Sequence, residues 1–303
     1  MGDPYKKFAK ETYDTVYTAM KDGVAQSGNL PLLFMSGESH IDTKLEKQSN
    51  NFVPESDQEP AIAAAYTHVA AIKSAADLVG NDKVAISFEM DQETLDQLKD
   101  RYAHNPDSFQ EMCERFPMLI ALKYAIDNGY ETVASDPLYQ TPNATSPERF
   151  DAEKDALGKV ALRTNNQPNI IVHIGGSYHI GYLQGHTNEE LMENGEHLTR
   201  QENEDPFNGI FGHSVFINSA HRNPLQLQAA PDTQRYLYLQ NPENAIQIDA
   251  PGKMDKADIT DIAERIEAAA KDMTIRENIK ANEELSLNDT ASAASPFHGI
   301  GHK

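Results

Sequence analysis

Hydrophobic positions along the chain switch between two periods. From Tyr5 to Ala25, Phe8, Tyr13, Val16, Tyr17 and Met20 recur at three- and four-residue spacing, which predicts an amphipathic helix ended near Gly28. Leu30 to Met35 is a short apolar run stopped by Ser36-Gly37, the pattern of a buried strand and a turn. Glu59 to Val79 is rich in alanine and predicts a helix. Val84 to Phe88 predicts a second strand. Helices follow around Gln92 to Tyr102 and from Phe116 to Asn128, the latter closed by Gly129. Glu131 to Ala134 is a short third strand, Ser146 to about Arg163 a helix opening on Ser-Pro-Glu, and Asn169 to Ile174 a strand apolar enough to be buried on both faces. Further on, His213 to Asn218 and Ala245 to Asp249 carry weaker strand patterns, and Lys256 to Lys271 is an amphipathic helix.

Strands alternating with helices predict an α/β fold, a mostly parallel central sheet flanked by helices and built from right-handed crossovers. The expected organisation is an N-terminal helix over residues 1–28 packed on the domain, a single α/β catalytic domain over 29–275, and a polar, mobile tail over 276–303, where apolar periodicity fades. No repeat of solenoid length is present.

Composition narrows the function classes. The net charge of −21 is spread along the chain and repels nucleic acid and anionic membranes. No apolar run approaches the length of about 18 residues needed to span a bilayer. Met1 to Lys7 is not followed by an apolar stretch of the signal-peptide kind, so the expected location is cytoplasmic, or outside the cell by a route without a signal peptide. The single cysteine, Cys113, lies between acidic neighbours and is expected to be a half-buried helix residue, without a disulfide or a thiolate metal site.

In parallel sheets ligands bind beyond the carboxyl ends of the strands, and four predicted strands end on polar or titratable residues: His40, Glu89, Asp136 and His179. Two of these close G-x-x-H motifs, Gly37-Glu38-Ser39-His40 and Gly176-Ser177-Tyr178-His179, each directly after an apolar strand. Glycine lets the chain leave the strand sharply, and an imidazole three residues later can point back over the strand end. His40, His179 and Glu89 or Glu38 form a suitable ligand set for a divalent transition metal such as Zn, Mn or Co, whose bound water would be acidified. Without metal, the same groups can run hydrolysis by general base catalysis. The spacing leaves both mechanisms open.

Each residue also has a plainer reading. Glu38 and Glu89 would serve as caps of the helices after their strands, and His40 as a surface loop residue. Asp136 would either contact substrate or cap the next segment. His173 reads as a core histidine bonded to backbone, His68 as part of the alanine-rich helix, and His186 as a pocket neighbour without a direct role. Ser39 and Ser177 lack the G-x-S-x-G pattern of a serine hydrolase.

At these residues the sequence resembles the superfamily that contains erythromycin esterase-like, ChaN-like, TraB and TIKI proteins. Leu33 to His40 looks like its opening strand and Gly-Glu-x-His motif, Ile86 to Met90 like its strand ending on a functional glutamate, and Ile171 to His179 like its second G-x-x-H. The matching blocks span roughly residues 30 to 185. The family's arginine before the second motif, often followed at once by aspartate, has its nearest match in Arg149-Phe150-Asp151, where Phe150 intervenes and a helix-face salt bridge competes.

The resemblance implies hydrolysis of a peptide or ester bond, with haem or small-ligand binding of the ChaN kind as the alternative. In that alternative Tyr178 and His179 would face the iron. A third reading is a bacterial effector acting by interaction. The expected catalytic set is His40, Glu38, Glu89 and His179, the metal set His40, Glu89 and His179, and the substrate contacts Arg149, Asp136 and Tyr178. Expected partners are a peptide, ester or other small-molecule substrate, with no nucleic acid and no membrane span.

Overall fold

The computed structural model describes residues 3–38, 55–113, 116–144, 146–176, 207, 209–218, 236–237, 246–247 and 261–293. Five strands make one parallel sheet: β1 (Leu32–Glu38), β2 (Val84–Phe88), β3 (Glu131–Ala134), β4 (Ile170–Gly176) and β5 (His213–Asn218). Their order is β3-β2-β4-β1-β5. The helices are α1 (Pro4–Ser27), α2 (Glu55–Val79), α3 (Gln92–His104), α4 (Pro106–Cys113), α5 (Pro117–Asp127), α6 (Ser146–Ala161) and α7 (Ile262–Ala293). The expected α/β fold with a parallel sheet is therefore the fold of this chain. No helix among the described residues is long and apolar enough to cross a membrane.

Helix α1 starts where Asp3 accepts the Tyr5 amide at 2.9 Å and ends at Gly28, whose φ of 62° suits glycine. Its apolar stripe, Phe8, Tyr13, Val16, Tyr17 and Met20, is buried against α2, α7 and β5.

The order of the strands decides which face each helix covers. The connections from β1 to β2 and from β2 to β3 run one way along the sheet. Those from β3 to β4 and from β4 to β5 run the other way. Right-handed crossovers then put α2 to α5 on one face and α6 on the opposite one. The packing agrees. Leu32, Phe34, Val84, Ile86, Phe88, Ile170, Val172 and Ile174 join the large core under α1, α2, α3, α4, α5 and α7. Leu33, Met35, Ala85 and Ile171, their alternating neighbours, join a smaller core with Leu157, Val160 and Ala161 of α6 and with Phe207, Phe211 and Phe216.

Three features depart from expectation. Residues 106–113 form the unforeseen helix α4, which buries Phe109 and Cys113, so Cys113 is fully rather than half buried. Ile246–Gln247 is only half of a two-residue antiparallel pair with Tyr236–Leu237. The stretch from residue 276, expected as a mobile tail, continues α7 to Ala293. Polar contacts replace the missing apolar stripe there. Arg276 bonds Asp14 at 2.6 Å, while Glu277 bonds Lys21 at 2.7 Å and Tyr17 at 3.2 Å, tying α7 to α1. Residues 294–303 lie outside the described residues.

Candidate active site

At the end of β2 the connection leaves toward β3, and at the end of its neighbour β4 it leaves the opposite way. Adjacent strands with diverging connections leave a crevice beyond their carboxyl ends, the position where open parallel sheets bind ligands. On the far side of β4, β1 runs in register with it. Gly37 pairs with Gly175, and Glu38 with Gly176. The two G-x-x-H motifs therefore begin side by side on neighbouring strands, which lie about 4.8 Å apart in a sheet. His40, Tyr178, His179 and His186 lie outside the described residues.

Glu89, directly after β2, is 3% exposed. It does not cap α3. Asp91 does, accepting the Thr94 amide at 2.7 Å. Glu89 instead crosses the crevice to β4, where its Oε2 accepts the Gly176 amide at 2.5 Å. Its other oxygen, Oε1, lies 3.5 Å from Nη2 of Arg149.

Arg149 projects from the first turns of α6 and is held by Asp136, beyond the end of β3. Asp136 Oδ2 accepts from Arg149 Nε at 2.9 Å and also from Nη2. Asp136 Oδ1 accepts the Leu138 amide at 3.1 Å, so the residue turns the chain and fixes the arginine at once. The helix-face alternative for Arg149 therefore gives way to an ion pair between α6 and the end of β3. Asp151, exposed, faces Lys154. Burial pulls the guanidinium pKa down, but the hydrogen bond to Asp136 and the charges of Asp136, Glu89 and Glu153 outweigh it and raise it.

Beneath these groups lies a second polar layer, in which His173 is the core histidine expected and Ser87, Ser135 and Glu153 are side-chain neighbours that the sequence reading did not single out. His173, on the α6 side of β4, is fully buried. Its Nδ1 stands 3.3 Å from Ser87 Oγ and 3.5 Å from Ser135 Oγ, and its Nε2 is 3.4 Å from Glu153 Oε1. Ser135 Oγ is also 3.2 Å from Glu153 Oε1 and 2.9 Å from the Phe88 carbonyl. Glu153 is four residues beyond Arg149, one turn along the same helix face. Two signals pointed here: a serine inside the apolar run of β2, and the i,i+4 spacing of Arg149 and Glu153.

Two more residues belong to this edge. Tyr139 places its ring 5.6 Å from the Arg149 guanidinium and remains 45% exposed. On the opposite face, Nδ1 of buried His68 on α2 lies 2.8 Å from Oγ of Ser36, immediately before Gly37. A cavity of about 210 Å³ lined by Cys113, Lys123, Tyr124 and Asp127 lies among α4, α5 and α7 and includes none of the strand-end residues.

Glu89, Asp136 and Arg149 thus converge on one edge, with Gly176 of the second motif. Comparison of the chain with protein-family models, with curated proteins and with solved structures finds no match in any of the three.

Proposed function

We propose that this protein is a hydrolase of peptide or ester bonds whose site is the carboxyl edge of the sheet around β2, β4 and β1. The register of β1 on β4 carries the reading, because it starts the two histidine motifs side by side, next to the topological switch point between β2 and β4. In this reading His40 and His179 work on one water molecule. An imidazole takes the proton of that water as it attacks the carbonyl carbon, then returns it to the leaving oxygen or nitrogen. Arg149 sits beside the crevice with its side chain 24% exposed. It is placed to meet the carbonyl oxygen as negative charge develops there, and Asp136 fixes its orientation. Glu38 ends β1 beside Gly176, at the start of the first motif.

The direct test is turnover on a panel of nitrophenyl esters and internally quenched peptides by purified full-length protein. Hydrolysis lost in Arg149→Met, with the circular dichroism spectrum retained, is the expected result. A panel without turnover, alongside a Soret band that develops on adding haemin, would contradict it in favour of ligand binding.

A further inference from the structure

We infer that Glu89 is the latch that holds Gly176, the last residue of β4 and the first of the second G-x-x-H motif, to the end of β2, a positioning residue and not a metal ligand. The inference rests on the proposed hydrolase only for the turnover it affects; the latch itself is a statement about Gly176.

Glu89 reaches Gly176 because Gly175 has no side chain. A β-carbon at Gly175 would stand 2.8 Å from Glu89 Oε2, 3.1 Å from Glu89 Cβ and 3.1 Å from His173 Nε2. None of these atoms can yield easily. Glu89 and His173 are both buried, and the imidazole is fixed among Ser87, Ser135 and Glu153. The glycine before the motif is therefore needed as a window for the carboxylate. Through it, a charge-assisted hydrogen bond ties the last residue of β4, where the second motif begins, to the neighbouring strand.

The same surroundings fit poorly with a divalent cation on Glu89. Oε2 faces a backbone donor, and Oε1 lies 3.5 Å from a guanidinium. A cation bound at about 2.1 Å from Oε1 would lie within about 6 Å of that positive charge. Asp136 secures the guanidinium in place, so the chain Asp136–Arg149–Glu89–Gly176 joins β3, α6, β2 and β4.

The test is amide hydrogen exchange at Gly176, read by NMR on the full chain, in wild type, Glu89→Gln, Glu89→Ala and Gly175→Ala. Glutamine keeps a carbonyl oxygen to accept the amide; alanine does not. Protection at Gly176 is expected to fall about 10- to 100-fold in Glu89→Ala and to be largely restored in Glu89→Gln. Gly175→Ala should lose protection as Glu89→Ala does; if it fails to fold, the two Glu89 variants decide the matter. On any substrate the panel identifies, kcat should follow the same order, lower in Glu89→Ala than in Glu89→Gln. Equal protection in wild type and Glu89→Ala would overturn the latch, as would Co²⁺ uptake by wild type that Glu89→Gln abolishes. A panel without turnover would remove the hydrolase and leave the amide result to stand or fall alone.

Discussion

The two faces of the sheet are built on different physics. On one, alternate residues of β1, β2 and β4 are apolar through Phe34, Phe88 and Ile174, and they meet a thick layer of six helices. On the other, the apolar cluster covers only the lower part of β1, β2 and β4 and stops at Met35, Ala85 and Ile171. Above it come Ser87, His173 and Gly175, facing Glu153 and Glu89. Burial of hydrocarbon supplies the stability of the first face without requiring any particular partner. The second buries carboxylates and an imidazole, groups that are costly out of water unless each is paired. The fold therefore keeps most of its hydrocarbon packing on one side and most of its buried charge on the other, at the edge where open parallel sheets bind ligands.

Alkaline pH should expose the difference most strongly, since it acts on the thick face. Burial, and then the charges of Glu267 and Asp77, push the Tyr130 hydroxyl up to about 12. Tyr13 and Tyr124 are raised further still, by burial and then by hydrogen bonds to Asp77 and Glu267. The native state favours the neutral phenol. The stability these groups contribute is full below the unfolded-chain pKa near 10 and is lost as pH climbs through the native values. Tyr130 alone accounts for about 2–3 kcal/mol. Tyr13, Tyr124 and Tyr130 should ionise late, and together with unfolding, when phenolate absorbance and circular dichroism are followed in one titration. Independent, early ionisation of all three would contradict this.

A smaller effect should distinguish the polar face. Arg149→Ala leaves Asp136 and Glu89 buried beside each other's charge without their cation. The expected loss is about 2–3 kcal/mol by urea denaturation, at the low end for a broken buried pair because the arginine is partly exposed. A loss below 0.5 kcal/mol, the scale of a surface pair, would mean that solvent already screens the cluster.

Much of this architecture is legible in the chain itself. Strands such as Val84–Phe88 and Glu131–Ala134 stand out because an apolar run ends abruptly on a polar residue. Helix α4 escaped because its eight residues, Pro106–Cys113, are too few to show a helical period, and tertiary burial of Phe109 and Cys113 holds them helical. The continuation of α7 past residue 275 escaped because Arg276 and Glu277 meet α1 through ion pairs, which leave no hydrophobic period. At the site, Glu89, Asp136 and Arg149 each stand out as polar residues at element ends. Their convergence does not, because it depends on β4 being inserted between β2 and β1. For the same reason Gly175 reads as a mere turn residue until Glu89 is seen against it.

The central claim is that two histidine turns, started side by side by β1 and β4, act on one substrate. A kinetic cycle of His40→Ala, His179→Ala and the double variant tests it most directly, using any ester or peptide that the wild type cleaves. Each single variant should lower kcat by about 10²- to 10⁴-fold with the fold retained. The double variant should be little worse than either, as befits groups that work as a unit. Unchanged turnover in either single variant, or losses that multiply in the double, would contradict a shared site.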